Sequence, residues 1–125
     1  MLRRSYMQTG PPDLRYEDHV RHIHDLIGVA MKAADPARAL ASNWPLALEQ
    51  AQRCHVVGAG KASLEMALKL QELCGDRLAG GVVAVVPQRL ELLQRDPAAR
   101  ALRFQALPVS HPLPDERGIR AAQAI

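Results

Sequence analysis

Aromatic rings are scarce in this sequence. Tyr6, Tyr16, Trp44 and Phe104 are the whole supply, 3% of 125 residues, while 48% of the chain is hydrophobic. A core must therefore be aliphatic, built from Leu, Val, Ile and Ala, which suits layered helices and sheet rather than a small disulfide-stapled module. The same shortage removes the stacking platforms that single-stranded nucleic acids need. An excess of one charge is lacking too: 16 Lys+Arg against 13 Asp+Glu leave +3, with no clustered basic stripe to drive counterion release, so no nucleic-acid partner is expected. Apolar runs such as Gly81 to Pro87 fall far short of the about 18 residues of a membrane-spanning helix. Met1-Leu-Arg-Arg-Ser-Tyr6 leads into no apolar stretch of the kind a secretory signal carries. No membrane partner is expected. Cys54 and Cys74 form neither a Cys-x-x-Cys pair nor a ladder of metal ligands. They read as reduced, buried thiols of a cytoplasmic protein.

What is present is a chain long enough for one core, with clear punctuation. Residues 1–17 read as a mobile amino-terminal tail, broken by Pro11-Pro12-Asp13, and 18–125 as one α/β domain. Val20, Ile23, Ile27, Ala30 or Met31, and Ala34 recur at helical spacing over His19 to Ala34. Asp35-Pro36 then ends that helix and starts a short one over Ala37 to Ala41, with an aspartate cap and a proline at the first helical position. Asn43-Trp44-Pro45 reads as its stop. Cys54-His-Val-Val57 is an apolar run closed by Gly58-Ala-Gly60, and Lys61 to Cys74 returns to helical spacing through Leu64, Ala67, Leu70 or Gln71, and Cys74, with Met66 placed in the core stripe. Gly80-Gly-Val-Val-Ala-Val-Val-Pro87 is a β-branched run without alternation, as expected for a strand covered on both faces. Together these segments predict a βαβ unit with a parallel sheet.

Beyond Pro87 the pattern is mixed: a helical or irregular stretch around Leu90 to Gln94, a break at Asp96-Pro97, and a short strand over Phe104 to Val109. Ser110 to Gly118 is a proline-stiffened loop, and Asp115 could cap a helix running from Glu116 towards Ile125. That helix shows no stop signal, so the chain is expected to be an amino-terminal segment with an unfinished sheet.

Two constellations could carry chemistry. In Gly58-Ala-Gly60-Lys61-Ala-Ser63, glycines between a strand and a helix let backbone N–H groups approach an anion at the positive helix end, and Lys61 adds a full charge. It is not a Walker loop: His55 stands where the first glycine would be, and Ala62 follows the lysine instead of Ser or Thr. Nor is it a dinucleotide fingerprint, because Ser63 replaces the third glycine and the second strand ends in Val-Val-Pro-Gln without a ribose-holding acid. The alternative is a tight turn with a solvated lysine. In His111-Pro-Leu-Pro-Asp115-Glu116, two prolines restrict φ on either side of Leu113 and hold His111 and Asp115 in a narrow set of relative positions. The alternative is a turn in which Asp115 caps a helix and His111 packs against the sheet edge. His19, His22 and His24 complete no recognised metal set, and His55 reads as a packing residue. No metal ligands are assigned.

Ala34-Asp35-Pro36, Val57-Gly-Ala-Gly-Lys-Ala-Ser63 with Met66-Ala67, Gly80-Gly-Val-Val leading to Pro87, and His111-Pro-Leu-Pro-Asp-Glu116 before Gly118 occur in an order that resembles the amino-terminal domain of the glycerate 2-kinase family, historically also labelled hydroxypyruvate reductase. The resemblance spans about Asp18 to Ile125. It implies a Rossmann-like layered parallel sheet with flanking helices, incomplete in this chain. It further implies ATP-dependent phosphorylation of the 2-hydroxyl of D-glycerate with magnesium, in a cleft shared with a second domain. Lys61 matches the family's active-site lysine; Gly58, Gly60, Ser63, His111 and Asp115 fall at positions implied to bind substrate or phosphate. The glycine-rich loop and acidic residues of the family's later segments have no match here, so a carboxy-terminal half, or a homo-oligomer, is an expected partner and the segment alone is expected to turn over little. Other readings are an NAD(P)H-dependent hydroxypyruvate reductase and a non-enzymatic anion-binding remnant.

Overall fold

The computed structural model describes residues 15–125, so residues 1–14 of the expected tail lie outside the described residues. The remainder divides into two units, one ending at Ala34 and the other spanning Asp35 to Ile125.

The described part of the first unit is helix α1, Tyr16–Ala33. Asp18 accepts a hydrogen bond from the Arg15 amide at 3.2 Å, and Glu17 and Asp18 at the start with Lys32 at the end complement the helix dipole. The helix begins inside the stretch read as tail because these acids extend its first turn. Its apolar stripe is exposed, Ile23 at 55% and Ile27 at 52%, and His19, His22 and His24 are exposed as well.

The second unit opens with α2, Pro36–Ser42, whose Asp35 cap accepts from the amides of Ala37 at 2.9 Å and Arg38 at 3.4 Å. The Asn43-Trp44-Pro45 stop also starts a helix: Pro45 is the N-cap of α3, Leu46–Gln50. Arg77 ties the end of α3 to the end of the next helix, donating to the carbonyls of Leu48 and Glu49 at 2.7 Å and of Cys74 at 3.3 Å. These are the orphan carbonyls of helix ends, which need a donor and favour a cation.

Three parallel strands in the order β1-β2-β3 form the sheet: β1 Cys54–Gly58, β2 Leu78–Val85 and β3 Gln105–Pro108. Helix α4, Ser63–Cys74, connects the first two, and α5, Pro87–Arg95, with a 3-10 turn at Pro97–Ala101, connects the last two. Helix α6 is Glu116–Ala124. The open, layered α/β arrangement expected from the periodicities is therefore the observed one. β2 runs against β1 so closely that a Cβ on Gly81 would overlap the Val56 carbonyl oxygen and lie 2.7 Å from the Val56 nitrogen, and Gly81 has φ +151°. Only glycine fits that strand position.

The core joins Leu64, Ala67 and Cys74 of α4 with Leu93 of α5, and Val83, Val85, Leu78, Val56 and Phe104 beneath them. Leu78 and Val83 are essentially sealed from water, worth about 1.5–3 kcal/mol each. Burial pushes the Cys74 thiol above its usual pKa, and a hydrogen bond with Cys54 pushes the same way. Both cysteines are free, as expected. Met66 and His55 differ from expectation: Met66 is 38% exposed, one step off the Leu64–Ala67 seam, and His55 faces solvent because β1 alternates buried and exposed residues.

Candidate functional site

The direction in which the strands are left determines where a site can form. β1 and β2 both lead into helices packed on the face of Val83 and Val85. The intervening Ala84 points to the other face, and α6, after β3, packs on β2 and β3 there, with Ala84 and Ala121 facing a common cavity. Connections from the neighbouring strands β2 and β3 thus depart on opposite faces, which opens a crevice beyond their carboxyl ends.

The Gly58–Ser63 turn lies on one side of that crevice. Gly60 has φ +111°, a conformation that L side chains rarely adopt. At Gly58 a Cβ would meet Ser63 Cβ at 3.3 Å and Val83 Cγ1 at 3.4 Å, so the absent side chain lets the start of α4 settle on the sheet. Ser63 Oγ is 2.8 Å from the carbonyl oxygens of both Gly60 and Ala84. This buried hydroxyl fastens the turn to β2. Helix α4 begins two residues later than its apolar spacing predicts, with Ala62 as N-cap and no side chain capping the first turn. The Ser63 amide donates to the Gly60 carbonyl at 3.3 Å, which leaves those of Leu64 and Glu65 for an outside acceptor.

Lys61 and His111 meet across the crevice. Gly60, Lys61, Val109, Ser110 and His111 line a cavity of about 340 Å³. An adjoining one of about 430 Å³ shares Gly60, Lys61 and His111 and adds Ser63 and Arg89. The two sequence constellations therefore converge on one place, carried by the ends of β1 and β3. Gly58 lines a further groove of about 640 Å³ with Val57 and Met66, which Gly60, Lys61 and Ser63 border as well.

Asp115, expected at the cleft beside His111, has another task in the structure. It caps α6, accepting from the Arg117 amide at 2.9 Å and from Arg117 Nε at 2.9 Å, and it lines neither cavity that His111 lines. The hydrogen bond from the Arg117 side chain holds its carboxyl below the usual carboxylate range. The His111–Pro112 peptide is cis, and the loop parts its two ionisable residues: His111 goes to the cavity and Asp115 to the helix. Arg89 is the cavity residue that sequence reasoning missed. A start of α5 at Pro87 would have placed it in a first helical turn at the end of β2.

Among the described residues no group of three or more His, Cys, Asp and Glu side chains converges to hold a metal. Two acids that flank the site are paired, Glu65 with Arg89 and Asp115 with Arg117. These residues do not fit a magnesium ion held by this chain. They do fit an anion such as a phosphoryl group, through Lys61, Arg89 and the amides that open α4. No described helix is long and apolar enough to cross a membrane.

An open parallel α/β domain with cationic side chains at the carboxyl ends of its strands is the class that fold and site define. A family model described as "Domain of unknown function (DUF4147)" matches residues 22–125, and the chain belongs to this family, the amino-terminal domain of the glycerate kinases. A protein of Agrobacterium vitis named "Putative hydroxypyruvate reductase" is 36% identical over 114 residues, covering 90% of this chain and 23% of that protein. The chain thus spans under a quarter of the length of that relative. No solved structure matches.

Proposed function

We propose that this chain is the amino-terminal segment of a glycerate 2-kinase, which transfers the terminal phosphoryl group of ATP to the 2-hydroxyl of D-glycerate. The observation that carries the reading is the convergence of Gly60-Lys61 and His111 on one cavity at the carboxyl ends of parallel strands. Phosphoryl transfer depends mainly on positioning and on neutralising charge spread over the transferred oxygens. Lys61 would neutralise that charge or the glycerate carboxylate, with the first amides of α4 as neighbouring donors. His111 would fix the substrate from the opposite wall, and no general base is assigned. Magnesium needs carboxylates outside the described set, so no step is routed through it.

The name of the Agrobacterium relative favours a second reading, reduction of hydroxypyruvate with a nicotinamide cofactor. Against it, β2 runs out through Val86-Pro87-Gln88 with no acid for a ribose. A coupled assay for ADP release on D-glycerate, with the remainder of a glycerate 2-kinase supplied in trans, is expected to show turnover that Lys61→Ala abolishes. Activity that survives Lys61→Ala would overturn the kinase role of this turn. NADH oxidation by hydroxypyruvate would favour the reductase, and phosphate binding without either turnover would favour an anion-binding domain.

A further inference from the structure

Arg89 stands where helix electrostatics disfavour it. It is the third residue of α5, whose first turn contains no acid, and the positive end of a helix repels a cation. Its guanidinium reaches across to Glu65 in the first turn of α4. Both Glu65 oxygens are shielded from solvent and Arg89 is their counter-ion, while the Arg89 side chain is 50% exposed. Arg89 also lines the cavity of Lys61 and His111.

We propose that Arg89 is a second anion-binding cation of this site, and that Glu65, its buried counter-ion, holds part of its charge back from a phosphate or carboxylate ligand. This inference rests on the reading of the cavity as an anion site. The exposed half of the guanidinium can take a second anion while the rest stays with Glu65, whose shielded carboxylate would be costly to strip of its counter-ion. A guanidinium binds phosphate or carboxylate through two parallel N–H bonds, a geometry that lysine cannot supply. With Lys61 on the β1 turn and Arg89 on α5, both lining the same cavity, a ligand oxygen cluster between them meets two cations. Glu65 is then a competitor, and its removal strengthens binding.

The test is isothermal titration of the chain with inorganic phosphate at low ionic strength without magnesium, each variant being checked for folding by circular dichroism. Arg89→Gln is expected to weaken binding about tenfold, and Arg89→Lys to recover part of that. Glu65→Gln is expected to tighten binding about threefold; Glu65→Ala has the same expected sign and serves if the glutamine variant does not fold. The double variant is expected to bind as weakly as Arg89→Gln, because Glu65 acts only through the arginine. If Lys61→Ala weakens binding while the Arg89 and Glu65 variants bind like the unmodified chain, the anion site stands and the role of Arg89 is overturned. If the unmodified chain binds no phosphate, or Lys61→Ala leaves binding intact, the underlying reading of the cavity fails with it.

Discussion

The turn after β1 and the loop after β3 each deliver one ionisable side chain to the same cavity, but they are built differently. The first is bolted to the core: Gly60 supplies a left-handed conformation, and the buried Ser63 hydroxyl reaches the carbonyl of Ala84 on β2. The second is held at the surface by its own prolines and by an exposed pair, Asp115 with Arg117. The placement of Lys61 is therefore coupled to the stability of the whole sheet, whereas that of His111 depends on local stiffness. Rigid support under a charge-stabilising residue matters because small displacements are costly in positioning chemistry.

Breaking the sheet beneath the first turn should have the largest effect. Gly81→Ala drives a Cβ into the Val56 backbone, and a loss of about 3 kcal/mol or more is expected in denaturant unfolding, with Lys61-dependent binding lost alongside. Removing the bolt alone is milder. Ser63→Ala leaves the Ala84 carbonyl without that donor, so stability should fall by about 1–2 kcal/mol, with weaker anion binding. The surface loop should respond least, and in a pH-dependent way. The carboxyl of Asp115 is held below its usual range by Arg117, so its contribution is complete at neutral pH and disappears as the pH falls through the ordinary carboxylate range to its lowered value. Thermal melts of Asp115→Ala should lie below those of the unmodified chain at neutral pH and merge with them in acid. A difference that grows in acid would contradict the cap.

Much of this contrast could be read from residue order. The Asp35-Pro36 start, the strand ending at Gly58-Ala-Gly60 and the parallel β2 appear where glycine, proline and β-branched residues place them, because each signal acts locally. Prolines with two meanings misled: Pro45 ends one helix and caps the next, and Pro87 closes β2 while opening α5. Lys61 and His111 were legible as candidates and the resemblance implied one cleft for both, but residue order alone does not bring them together, since that depends on connections leaving β2 and β3 on opposite faces. Arg89 was invisible for the same reason: its relation to Glu65 and Lys61 exists only once α4 and α5 lie side by side. The residues around Asp115 allowed two readings, and the hydrogen bonds from Arg117, with its place outside the cavity lining, mark it as the cap.

In the proposed function the two segments form one anion site. Titrating the isotopically labelled chain with inorganic phosphate and following backbone amide resonances tests it most directly. With one shared site, the amides of Gly60 to Glu65 and of Val109 to His111 are expected to shift together along a single binding curve, while those of Glu116 to Gly118 stay in place. Shifts confined to one segment, or two curves with different midpoints, would contradict it.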